Sequence, residues 1–236
     1  MLSSPLRVVE GGSSNPQLIA FECAERHGRA RKASKHDHPE WLRTRRQLRR
    51  ATARLIAERG ILKATPRAII RAARLPGLVL SDCYPTRQAL MADIMLHHLE
   101  GLTCWVLAAR DAAHREGAAA KLEAMIGAYL ASALAERNEH RLLLTAADIL
   151  DEREHEQVRL RCAGLTALFQ EVLQETVPDT TEAALRLSAL TLTSALSCAV
   201  LWFDPDGEIA VGGYAQILLG MAVEGIRDRT PVHADA

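Results

Sequence analysis

Cationic side chains crowd one stretch of this chain. Residues 44 to 87 hold eleven Arg/Lys against two Asp/Glu, a local charge of +9. The 236 residues together balance 29 Lys+Arg against 29 Asp+Glu, so the remainder carries −9. Arg45, Arg46, Arg49, Arg67 and Arg87 offer guanidinium groups, and Thr65 a hydroxyl. These are groups that neutralise and hydrogen-bond phosphate oxygens. Gly77, Leu78, Val79 and Ser81 form a second set, in which Leu78 or Val79 could touch a thymine methyl. None of this second set is Arg, Lys, Asn or Gln, the side chains that make bidentate contacts to base edges. A basic head on an acidic body is the electrostatic footprint of a nucleic-acid binder, although basic runs are also found as ordinary solvated helix faces.

Other chemistries find less support. The sequence holds no Gly-x-Ser-x-Gly elbow, phosphate-binding Gly loop, dinucleotide fingerprint or His-Glu-x-x-His pair. Asp148, Asp151, Glu152, Glu154 and Glu156 surround Arg153 and His155, which reads as a charged helix junction before it reads as a metal or acid–base site. No catalytic group, metal or cofactor is expected, and an enzyme is the weakest of three classes considered. Cys23, Cys83, Cys104, Cys162 and Cys198 are odd in number and lack metal or disulfide spacing. Buried inert thiols in a reducing cytoplasm fit that pattern, with redox sensing as the lesser reading. No signal-peptide run opens the chain, and no stretch is expected to reach the ~18 apolar residues of a membrane span.

The elements that must position the cations are helical. Leu48, Ala51, Leu55 and Ile56 share one helix face, and Gly60 follows as a left-handed cap. Thr65-Pro66 restarts the chain with a capping hydroxyl and a proline that gives up an otherwise orphaned N–H. Ile69, Ala72 and Ala73 turn inward, Leu75 plugs a turn, and Pro76-Gly77 opens a short third helix to about Cys83. Tyr84-Pro85 stops it and Thr86 caps a fourth helix expected from about Arg87 to Glu116. Helix, tight turn and short helix make a helix-turn-helix, whose second member enters the major groove.

Over about fifty residues this stretch resembles the N-terminal domain of TetR-type (tetracycline-repressor-like) bacterial regulators. Ile69-Ile70, Leu75, Leu80, Tyr84 and Pro85-Thr86-Arg87 with Ala89-Leu90 stand at the matching positions, as do Gly60 and Thr65. Departures concentrate near the short helix. Arg74 replaces the turn Gly and is expected at positive φ. Pro76 replaces a capping Ser/Thr, Ser81 a phosphate-touching Tyr, and Asp82 puts an acid where His is frequent. The resemblance implies an all-α fold, an N-terminal three-helix DNA-binding domain and a helical regulatory and dimerisation domain.

Residues 1–38 read as a disordered basic tail, 39–86 as the helix-turn-helix domain and 87–230 as the ligand-binding and dimerisation domain. Arg29, Arg31, Lys32 and Lys35 could follow a minor groove or simply solubilise, and His27, His36 and His38 need bind nothing. Asn138 could cap one body helix and Thr180 or Thr181 another. Ala183, Leu187, Leu190, Ser194 and Ala195 line one face near the C-terminus, and Gly212, Gly213, Ala215, Gly220, Ala222 and Gly225 permit close helix approach. These two last helices resemble the family's dimerisation pair, with an intramolecular core as the alternative. The resemblance places an effector pocket between the middle helices. Trp105, Met125, Tyr129, Leu144, Asp148, Phe169 and Trp202 are its candidates for a small hydrophobic molecule, and each could equally be ordinary core. The implied function is a cytoplasmic, homodimeric one-component regulator of double-stranded DNA. The rival is a TetR-fold ligand-binding or protein-interaction subunit that no longer reads sequence.

Overall fold

A computed structural model describes residues 39–227; the expected tail, its basic arm, its histidines and Cys23 lie outside them. Among the described residues there are nine α-helices and no strand. They are α1 Pro39–Arg59, α2 Pro66–Ala73, α3 Val79–Cys83, α4 Arg87–Ala112, α5 Ala118–Ala135, α6 Arg137–Thr145, α7 Glu152–Thr176, α8 Glu182–Trp202 and α9 Val211–Arg227. Short 3₁₀ turns sit at Ile61–Lys63 and Ala147–Ile149.

Local chemistry sets most boundaries. The hydroxyls of Thr65, Thr86 and Thr181 accept from Ala68, Ala89 and Ala184 N–H at 3.3, 3.0 and 3.3 Å, capping α2, α4 and α8. The Asp151 carboxylate does the same for α7, accepting from Glu154 N–H at 2.7 Å. Gly60 takes φ 80° after α1. Arg74 ends α2 in the left-handed region, φ 53° and ψ 44°, so the expected positive φ at the turn is present in a residue with a Cβ. The Leu75 N–H then closes onto the Ile70 carbonyl at 3.2 Å.

Three boundaries differ from expectation, and the first is the end of α4, at Ala112 rather than Glu116. α3 begins at Val79 instead of Pro76-Gly77 and has no side-chain cap, because the N-cap position falls on Leu78, whose side chain has no hydrogen-bonding atom. Asn138 does not cap α6; Glu136 holds that position, also without a side-chain cap, because its carboxylate is engaged by His98 at 2.9 Å.

Two hydrophobic cores share α4. The upper one joins Leu48 and Leu55 of α1, Ile69 of α2, Tyr84, and Leu90 to Leu99 of α4 to Leu142 and Val158 of α6 and α7. The lower one joins Leu102 and Val106 to α5, α7, α8 and α9. The 26 residues of α4 span about 39 Å at 1.5 Å per residue, so one rod runs through both cores. α6 packs against α1, α4 and α8, adding a second link between head and body. By length and composition α5 and α8 could cross a membrane, against the expectation that no stretch would; in this fold both supply buried residues to the lower core.

Candidate nucleic-acid interface and effector region

The exposed surface around α2 and α3 gathers part of the expected set. Arg67, Gly77, Ser81 and Arg87 line one groove of about 440 Å³, floored by Ile69, Ile70, Leu80, Tyr84 and Leu90. Thr65 is exposed beside it, at the N-terminus of α2. Leu78 is 78% exposed, and the Ser81 hydroxyl donates to the Leu78 carbonyl at 2.8 Å. Val79 departs from its expected outward position: it is half-buried and packs on the upper core. Asp82 is exposed in the first turn of α3, an acid on a surface that would otherwise attract phosphate.

Three of the expected phosphate-binding arginines have other surroundings. Arg45 Nη2 and Arg49 Nη1 donate to the two oxygens of Asp93 at 2.6 and 2.9 Å. The Tyr84 hydroxyl donates to Asp93 Oδ2 at 2.6 Å and accepts from Arg45 Nε at 3.2 Å. The Arg45 guanidinium also lies 5.1 Å from the Tyr84 ring centroid, a cation–π contact. Burial alone would raise the Asp93 carboxyl, but Arg49, Tyr84 and Arg45 together hold it below its usual range. Burial, reinforced by Asp93, pushes the Tyr84 hydroxyl far above its ordinary range, so it remains a donor. Arg45 and Arg49 thus clamp α1 onto α4. Arg46, one residue away and exposed, lines a separate cleft with Arg43, Arg50, Arg54 and Arg74. Sequence reasoning missed Asp93; its signal is a lone acid between the buried Ala92 and Ile94.

The seven effector candidates do not converge. Met125, Tyr129 and Phe169 are buried together in the lower core, with the Tyr129 and Phe169 rings edge-on at 6.1 Å. Trp105 is half-buried on α4. Leu144 is 37% exposed, because on the short α6 the inward positions are His140 and Leu142. Asp148 is exposed in the 3₁₀ turn. Trp202, at the end of α8, is 62% exposed and lies edge-on to Tyr214 at 5.3 Å, while its neighbour Phe203 takes the buried place.

A buried polar chain was not foreseen. His98 Nδ1 meets Glu136 Oε2 at 2.9 Å, and His98 Nε2 meets His140 Nδ1 at 2.8 Å. The Tyr129 ring lies edge-on to His140 at 5.9 Å, and its hydroxyl pairs with Ser197 Oγ at 2.6 Å. Burial, then the neighbouring His98, depress His140 to about 3, so the ring is neutral at ordinary pH. Its Nε2 makes no hydrogen bond, although it is fully buried. Burial would raise Glu136, but the hydrogen bond from His98 holds it below the usual range. His98 and His140 are 42 residues apart, so no local spacing announces the pair.

Residues 115–226 match the tetracyclin repressor-like C-terminal domain. This part of the chain is a TetR-like C-terminal domain. The TetR fold extends over the described helices. A regulatory protein of the tetR family from Rhodococcus superposes with TM-score 0.70 at 18% identity, over 78% of this chain and 96% of that one. A TetR-family transcriptional regulator from Bordetella parapertussis gives 0.68 at 16% identity, over 78% and 96%. AibR, solved with isovaleryl coenzyme A and operator DNA, gives 0.65 at 17% identity, over 75% and 97%. No curated protein sequence matches the chain. On α8 and α9, Leu187, Leu190, Leu201, Ile217 and Met221 are exposed on the protomer.

Proposed function

We propose that this TetR-like protein is a homodimeric transcriptional regulator whose head, residues 39–86, binds operator DNA. The body, residues 87–230, holds a small hydrophobic effector. The observation that carries the reading is the exposed groove bearing Arg67, Gly77, Ser81 and Arg87 at the mouth of a helix-turn-helix. AibR, of the same fold, was solved on operator DNA with an acyl coenzyme A, which supports both halves of the proposal. Arg67 and Arg87 would neutralise phosphates, Thr65 would donate to one, and Gly77, Leu78 and Ser81 would approach the bases. Dimerisation through α8 and α9 is supported by their outward Leu187, Leu190, Ile217 and Met221, which a single chain leaves in water. It would set two heads at a fixed spacing on a palindrome. Met125, Tyr129 and Phe169, buried together in the lower core, are the residues around which an effector would act. It would work by preferring the head spacing that does not fit the operator.

A second reading has its own observation. Asp82 faces outward from the uncapped first turn of α3, and no Arg, Lys, Asn or Gln lies between Gly77 and Tyr84. That surface suits a TetR-fold ligand-binding or interaction subunit with little sequence preference. Selection from random duplexes separates the two: an enriched palindrome supports the operator reading, and salt-sensitive retention without enrichment supports the other.

A further inference from the structure

We infer that the cleft between α1 and the α5–α6 junction binds a small polyanion carrying two or more phosphate groups. Arg43, Arg46, Arg50 and Arg54 recur at steps of three and four residues and so share one face of α1. Arg74 joins them from the turn, and the five guanidinium groups line a cleft of about 690 Å³, the size of a small-molecule site. Its other polar walls are Gln47, Asn138, Glu136 and Glu139.

Two carboxylates, Glu136 and Glu139, face five arginines across this cleft, and Arg50 acts electrostatically on both. Among the described residues, Arg43, Arg46, Arg50 and Arg74 make no ion pair, and Arg54 reaches Glu58 only at 4.0 Å. Asp93 is already engaged by Arg45 and Arg49 on the neighbouring face. Glu136 is held by His98, which leaves Glu139 as the other carboxylate against five guanidinium groups. Like charges at this spacing repel along a helix, whereas guanidinium forks match phosphate oxygens in pairs. Arg74 reaches the cleft from the left-handed turn that ends α2.

The position gives the ligand a consequence. One wall belongs to α1 and the turn, the other to Ala135, Glu136, Asn138 and Glu139 of the body, so a bound anion bridges head and body. The cleft shares no residue with the groove holding Arg67 and Arg87. It is therefore separate in its residues from the proposed DNA face and from the apolar effector region.

Inorganic tripolyphosphate is the probe, titrated calorimetrically into the full-length, DNA-free protein at constant ionic strength. Saturable binding is expected, with one site per chain. Arg50→Gln with Arg54→Gln should weaken it by about a hundredfold, each charge-assisted contact being worth about tenfold. Arg74→Gly should weaken it several-fold while relieving the backbone, so that loss cannot be assigned to unfolding. Arg67→Gln with Arg87→Gln should leave tripolyphosphate binding unchanged and weaken duplex DNA binding. The inference is overturned if binding is not saturable, or if the Arg50/Arg54 and Arg74 variants bind as the parent does. It is overturned too if the Arg67/Arg87 variant loses the anion, or if duplex DNA displaces tripolyphosphate one for one, since the site would then be a backbone-phosphate contact.

Discussion

Replacing Asp93 with Ala should detach much of the grip of α1 on α4. The carboxylate is contacted by Arg45 and Arg49, and the three side chains are 23%, 30% and 13% exposed. Breaking a fully buried pair costs about 3–5 kcal/mol and an exposed one about 0–1, so this intermediate case should cost roughly 2–3 kcal/mol. That includes the acceptor lost by the Tyr84 hydroxyl. In a chain of this length such a loss corresponds to a fall in Tm of roughly 5–10 °C. The sign of the pH dependence follows from the lowered carboxyl. Its contribution is complete above its unfolded value of 3.8 and disappears as pH falls through the lower folded value, so the two proteins should converge only in acid. Urea denaturation of both proteins at pH 7 and at stepwise lower pH measures this. A gap below about 0.5 kcal/mol at pH 7, the scatter of ordinary surface substitutions, would refute the clamp and return Arg45 and Arg49 to the pool of free cations.

Three further outcomes are expected. Arg74→Gly should stabilise the protein by about 1 kcal/mol in urea, because Gly takes the left-handed region without the Cβ clash. His140 is depressed from 6.5 to about 3, so the unfolded chain binds its proton first. Stability should therefore fall as pH drops from 6.5 toward about 3, by up to about 1.4 kcal/mol per pH unit from this group, and His140→Gln should flatten that limb of the denaturation profile. Leu187→Glu with Ile217→Glu, both on the outward faces of α8 and α9, should convert dimer to monomer in sedimentation with the helical circular dichroism retained. An unchanged mass would remove those faces from the interface.

Legibility in the sequence divides by range. The caps at Thr65, Thr86 and Thr181, the glycine end of α1 and the left-handed Arg74 are decided within four residues, and the sequence pattern reaches them. The fate of each arginine is not local. Arg45 and Arg46 are adjacent and alike, yet one meets Asp93, 48 residues away, while the other faces the cleft. The body shows the same limit. Tyr129 and Phe169 are recognisable as large inward residues, but Trp202 looks equally apolar and is outside, displaced by Phe203. The His98–His140 pair depends on α4 and α6 meeting at one depth, which no spacing along the chain encodes.

The most direct test of the regulator proposal is the affinity of the full-length protein for a selected duplex, measured by fluorescence anisotropy across a salt series. Two heads, each presenting Arg67 and Arg87, release about four counterions, so log affinity should fall against log salt with a slope near −4. Arg67→Ala should bring the slope to about −2. A slope near zero on every duplex, or one indifferent to Arg67, would contradict a DNA-binding role for this head.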